Sequence, residues 1–183
     1  NGFSQLAMGT FDDVNAISKI AVNTHLAGAA GTVTGAALTR LIGGKTDIVM
    51  MLNGALAGLV AITAEPLTPG PITAMVIGSI GAVIMYFGTK LLENLGLDDV
   101  VGAIPVHMFA GIFGTLVVPL TNADTSFGTQ FIGVISVCVF SFVLSWITFS
   151  TLKSTIGLRI SRAAEKQGTD KAEVGVVAYS IRD

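Results

Sequence analysis

Hydrophobic residues along this chain fall into five long runs, each closed by a short polar, glycine-rich or proline-rich break. The runs cover about residues 14–41, 48–64, 72–92, 100–119 and 127–158. A helix crossing a hydrocarbon core of about 30 Å needs roughly 20 predominantly apolar residues. The pattern therefore predicts an all-α polytopic membrane bundle over residues 1–158, with a charged tail over 159–183. Asn1 to Met8 is too short to span and reads as the end of a helix that begins upstream. Gly9 to Asp13 reads as a loop in which Asp12 or Asp13 caps the next helix. The second run, of about 17 residues, lies near the lower limit for crossing. It carries Asn53 and Gly54-Ala-Leu-Ala-Gly58, which predicts a helix buried among others. The fifth run exceeds the bilayer at a rise of about 1.5 Å per residue, so it should tilt or project into the cytoplasm.

Small residues punctuate the first run, including Gly31-Thr-Val-Thr-Gly35. Such a spacing lets a neighbouring helix approach closely. Glycine is also frequent in membrane helices generally, and for any single motif that simpler reading is preferred.

Composition agrees with the pattern. Hydrophobic residues make up 51% of the chain and charged residues 12%, with a mean hydropathy of +0.75. A soluble surface cannot be built from so few charges. The formal net charge of −2 carries no basic footprint for nucleic acid. Cys138 is the single cysteine and lies inside the fifth run, where it serves packing and cannot close an intrachain disulfide. The opening Asn1-Gly-Phe-Ser4 has no initiator methionine and no signal-peptide pattern, and reads as an internal start. With the C-terminus in the cytoplasm, Arg40, Lys45, Lys90, Lys153, Arg159, Arg162, Lys166, Lys171 and Arg182 all fall inside. Only Lys19 lies near the opposite face, which is the positive-inside arrangement.

The candidate chemistry centres on the fourth run, where His107 stands in a stretch with no charged residue between Asp99 and Asp124. An ionisable side chain at membrane depth normally faces a bundle interior or a polar pathway. Gly111 and Gly114 follow at i+4 and i+7, which predicts a small-residue stripe on the face of the imidazole. One reading is a ring projecting into a narrow lumen. The other is a ring satisfied by neighbouring helices, as buried polar groups generally are. His25, in Asn23-Thr-His25, is the weaker candidate and looks interfacial. Asp98 and Asp99 precede the fourth run and read as helix-start carboxylates favoured by the helix dipole. No phosphate loop, metal-ligand spacing or nucleophile elbow is present, so neither an enzyme nor a cofactor is expected.

Four blocks taken together resemble the Amt/Mep/Rh ammonium transporter family. They are Asn1-Gly-Phe-Ser4, Val22-Asn-Thr-His-Leu-Ala-Gly-Ala-Ala-Gly31, Leu52-Asn-Gly-Ala-Leu-Ala-Gly-Leu-Val-Ala-Ile-Thr-Ala64 and Asp98-Asp-Val-Val-Gly-Ala-Ile-Pro-Val-His-Met-Phe-Ala-Gly-Ile-Phe-Gly114. Gly157-Leu-Arg159, Gly168-Thr-Asp170 and Ala178-Tyr179 resemble its C-terminal tail. The resemblance implies an eleven-helix bundle made of two inverted five-helix repeats, assembled as a homotrimer with a pore through each subunit. This chain would be the second repeat, from the end of helix six, together with helix eleven and the tail. It implies that His107 is the second member of a pore-lining twin-histidine pair, that Ser4 belongs to the outer recruitment site, and that Asp99 is the acidic residue before helix ten. The implied activity is recruitment of ammonium, with methylammonium as a related substrate, and passage of ammonia through a hydrophobic pore of the cell membrane. The alternative is an ammonium sensor whose membrane domain is coupled to a downstream signalling domain. Two departures stand out. Phe3 replaces a small residue and should crowd the outer vestibule. The tail reads Ala172-Glu-Val-Gly-Val-Val177 where relatives commonly read Ser-Glu-His-Gly-Glu, which counts against the usual intersubunit contacts and a PII-type regulator.

Overall fold

The computed structural model describes residues 1–178, so Tyr179 of the tail motif and Arg182 of the basic set lie outside the described residues. Every regular element among the described residues is helical. Six α-helices follow one another: α1 (Phe11–Gly43), α2 (Ile48–Ile62), α3 (Pro71–Asn94), α4 (Ala110–Val117), α5 (Phe127–Thr155) and α6 (Arg162–Gln167). A 3-10 turn, Gly2–Gln5, precedes α1. A π-helical turn, Ile104–Phe109, runs straight into α4, and a 3-10 turn, Val118–Leu120, closes it. By length and composition α3 and α5 are apolar enough to cross a membrane.

The helix starts are fixed by local chemistry. The Thr10 hydroxyl accepts from the Asp13 amide at 3.1 Å, and the Asp13 carboxylate accepts from the Thr10 amide at 3.0 Å. This reciprocal pair satisfies two amides that a helix start leaves open. Thr10, and not Asp12 or Asp13, is therefore the cap, and α1 begins inside the stretch that sequence reading gave to a loop. Asp47 caps α2 by accepting from the Met50 amide at 3.0 Å, and Pro71 opens α3, where its missing N–H costs nothing.

The chain's contacts divide it after Ile135 into two units. In the first, α1, α2 and α3 pack against one another through their smallest residues. A Cβ on Gly54 would stand 2.6 Å from the Gly31 carbonyl, and one on Gly35 would stand 2.9 Å from the Met50 carbonyl. Gly58 and Gly78 both lie against the Ala27 carbonyl. The glycines are thus contact surfaces between backbones, and the frequency reading preferred from sequence is replaced by close helix approach. Two apolar clusters fill the remainder: Ala27, Ala61, Ile62, Ala74 and Ile77, and Ala57, Met85, Val106 and Ala110.

At 15 residues α2 rises only about 22 Å. The segment after it is irregular and partly buried, so its polar groups need partners from within the protein. Asn23, fully buried on α1, donates to the carbonyls of Pro66 at 2.9 Å and Pro69 at 2.8 Å. Glu65 accepts from the amides of Leu67 and Thr68 at 3.1 and 3.2 Å, and from the Asn122 side chain at 2.9 Å.

The second unit, from Ser136 onward, holds most of α5 together with α6 and a π-helical turn, Asp170–Val174. No residue of α5 is buried. In the tail the Asp170 carboxylate accepts from the Ala178 amide at 3.0 Å.

Candidate functional site

The segment carrying His107 is built from its start. Gly102 has a left-handed backbone, φ 72°, that favours glycine. Its position is also crowded, since a Cβ there would stand 2.8 Å from the Asn53 side-chain nitrogen. That nitrogen donates to the Val101 carbonyl at 3.0 Å. The two oxygens of Asp99 accept from the amides of Ala103 and Ile104, each at 2.8 Å. Pro105 has no amide to satisfy, and the Val106 amide donates to the Gly102 carbonyl at 3.1 Å. The amides from residue 103 to residue 106 are thereby fully accounted for.

The turn that follows is π-helical, and the Ala110 amide reaches the Pro105 carbonyl, five residues back. Such turns occur mostly as single insertions in α-helices and are frequent at functional sites. Here the turn sets which side chains face the bundle. Pro105, Val106 and Ala110 are buried, whereas Ile104, His107 and Met108 are exposed. His107 makes no side-chain hydrogen bond among the described residues.

The two glycines expected on the face of the imidazole differ from it in burial. Gly114 is buried against the Ala61 backbone and Gly111 faces the Val60 side chain. Gly114 is thus buried and Gly111 half-buried, whereas His107 is exposed.

Ser4 lies elsewhere. It is exposed in the turn Gly2–Gln5, its amide donates to the Asn1 carbonyl at 2.9 Å, and its hydroxyl makes no hydrogen bond among the described residues. The Asn1 side chain ties this turn to α1 and to the end of α2, donating to Thr24 at 3.1 Å and Thr63 at 3.3 Å. Asn53, near the start of α2, holds the His107 segment. The Ser4 turn and the start of that segment thus attach to α2 at points about 15 Å apart along its axis. Phe3 is 90% exposed. His25 is exposed, and its Nδ1 donates to the Ala21 carbonyl one turn back at 2.8 Å, a local helix contact. Asp98, beside the half-buried Asp99, is exposed and makes no side-chain hydrogen bond among the described residues. An open groove of about 310 Å³ runs along the end of α5 past Phe142, Trp146, Phe149 and Lys153, and includes none of these candidates.

Sequence reading passed over two residues of the site. Asn53 was visible as a lone amide in an apolar run, but its partner, a main-chain carbonyl 48 residues away, has no sequence signature. Gly88, which lies under Pro105 and Phe109, looks like any other glycine of a membrane helix.

Comparison with known proteins covers nearly the whole chain. The sequence model described as Ammonium Transporter Family matches residues 1–179. Ammonium transporter Amt2 of Archaeoglobus fulgidus is 42% identical over 89% of this chain and 39% of its own length. A putative ammonium transporter of Synechocystis is 35% identical over 96% of this chain and 40% of its own. Among solved structures, one titled Sensor Amt Protein superposes with a TM-score of 0.84, at 30% identity, over 94% of this chain and 44% of that one. Candida albicans Mep2 superposes with a TM-score of 0.75, at 26% identity, over 87% of this chain and 40% of that one. The chain spans about two fifths of the length of these relatives.

Proposed function

Because this chain belongs to the ammonium transporter family, we propose that it forms the second half of an ammonium-conducting membrane unit, with His107 on the wall of the pore. The observation that carries this reading is the bare imidazole of His107 on the outward face of a segment that is otherwise apolar. An isolated ammonium ion in a dry lumen has a nominal desolvation cost of tens of kcal/mol. A hydrophobic pore therefore favours recruitment of the ion at an outer polar site, loss of its proton, passage of ammonia and reprotonation inside. Ser4 contributes to the outer site, where cation–π attraction to aromatic rings supplies the rest of the recruitment. The two distinct nitrogens of His107 accept and donate hydrogen bonds to the passing molecule, and can relay the proton. Asp99 acts one step back, holding the start of the His107 segment.

The family membership implies a multi-pass membrane protein. Within the proposal, the five apolar runs are its spans, the tail from residue 159 is cytoplasmic, the unit assembles as a homotrimer in lipid, and methylammonium is a competing substrate. A PII-type regulator is a less natural partner for this tail than for relatives carrying the usual motif. The test is the ammonium-evoked current of the full-length protein in liposomes, with His107→Ala alongside. The current or its selectivity should change in the variant, and an unchanged current and selectivity would overturn the role given to His107.

A second reading has one observation in its favour, the likeness to the structure titled Sensor Amt Protein. In that reading ammonium occupancy is passed to a signalling domain downstream. The discriminating result is ammonium binding without flux in the full-length protein, together with such a domain encoded after Asp183.

A further inference from the structure

We propose that Asn53 and Gly88 are positioning residues for His107: between them they hold the π-helical turn Ile104–Phe109 in the register that turns the imidazole away from the bundle. The inference rests on the pore-lining reading of His107. Three contacts from two helices converge on this turn and the residues just before it. Asn53 on α2 is 8% exposed and donates its amide to the Val101 carbonyl, which fixes the left-handed bend at Gly102 just before the turn. Gly88 on α3 lies beneath the turn itself. A Cβ there would stand 2.5 Å from the Phe109 ring and 3.0 Å from the Pro105 Cβ. Both flanks of His107, at 105 and 109, therefore rest on a position where an added methyl group would displace them.

The energetic logic favours a device over an accident of packing. A π-helical turn carries one residue more than the α-helix it interrupts, and one residue corresponds to about 100° of rotation. Relaxing the turn to regular α-helix would carry His107 about a quarter of the way around its helix. The turn persists where surrounding contacts hold it in place, and Asn53 and Gly88 supply those contacts from the two helices it packs on. Neither residue touches the exposed face, so neither meets the substrate. Their effect passes through the imidazole.

The experiment uses the full-length protein in liposomes, with ammonium flux measured against pH per correctly inserted protein. Asn53→Ala should lower flux at least tenfold and alter its pH profile, because the imidazole no longer stands where it exchanges hydrogen bonds with the substrate. Gly88→Ala should do the same, and the second change Phe109→Leu, which makes room for the new methyl group, should restore much of the loss. A fall in flux with an unaltered pH profile and no rescue would mark these residues as merely structural and overturn the proposal. A cryo-EM structure of Asn53→Ala supplies an independent readout: the imidazole should shift by about 1 Å or more, and an unmoved ring would overturn the assignment. If His107→Ala conducts like the wild type while the ring moves in Asn53→Ala, the pore role fails and the positioning role stands.

Discussion

Helices α1 and α5 are the two longest of the chain, and they meet opposite fates. Helix α1 buries a line of mostly small residues that includes Ala27, Gly28, Gly31 and Gly35. Helix α5, richer in large apolar side chains, buries nothing. Phe142 is 72% exposed and Trp146 65%. Hydrophobicity alone therefore does not make a helix part of a membrane bundle's interior. In lipid, apolar side chains gain nothing by leaving acyl chains for each other, and association comes from close van der Waals packing. Glycine and alanine bring backbones near enough for that, whereas phenylalanine keeps them apart. An evenly apolar helix such as α5 suits a surface covered by lipid or by other protein.

The comparison breaks most sharply at Gly31. Gly31→Leu drives a side chain into the Gly54 backbone and should cost about 3 kcal/mol or more. Thermal unfolding of the purified full-length protein reads it, with loss of the monodisperse peak in size-exclusion chromatography. Phe140→Leu on α5, where the ring is 65% exposed, should move the same transition by less than about 0.5 kcal/mol. Equal effects would remove the distinction between the two helices.

Asn23→Ala is expected to come next. It strips the donor from two carbonyls, and an unsatisfied buried polar group costs about 1–3 kcal/mol. Amide exchange in the segment 63–70 should quicken together with the fall in melting temperature. Protection unchanged from wild type would show that this loop does not depend on α1.

The smallest effect belongs to the tail of the second unit, which is held by polar contacts instead of packing. The hydrogen bond from the Ala178 amide holds the Asp170 carboxyl below its ordinary value. A depressed folded-state value means that the contact contributes above the usual carboxylate range and is lost as pH falls through the lowered value. Protection of the Ala178 amide, corrected for intrinsic exchange, should decline on acidification and become independent of pH in Asp170→Asn. A decline that persists in the variant would place the titrating group elsewhere.

The all-helical architecture and the family likeness were legible in the sequence because both are written in contiguous residues: apolar runs of membrane length, and blocks such as the thirteen residues ending at Ala64. What sequence reading missed depends on pairs far apart in the chain. The start of α1 was misread because two aspartates drew attention from Thr10, which forms a capping box with Asp13. The small residues of α1 were undervalued because Gly31 becomes informative only when Gly54 lies across from it. The π-helical turn was invisible because no local residue pattern marks it, and its surroundings, Asn53 on α2 and Gly88 on α3, lie far away in the chain.

The backbone-to-backbone contact of α1 and α2 also has a mechanical meaning. Where carbonyl lies against glycine there is no rotamer to flex, and a close-packed interior transmits strain with little compression. Helix α2 is then a short, stiff rod seated on α1 through Gly54 and Gly58, with the Asn53 amide, next to that seat, joined to the segment that carries His107. Displacement at that joint cannot be absorbed along the rod; it travels undamped into the seat, so the imidazole inherits the steadiness of the largest contact in the molecule.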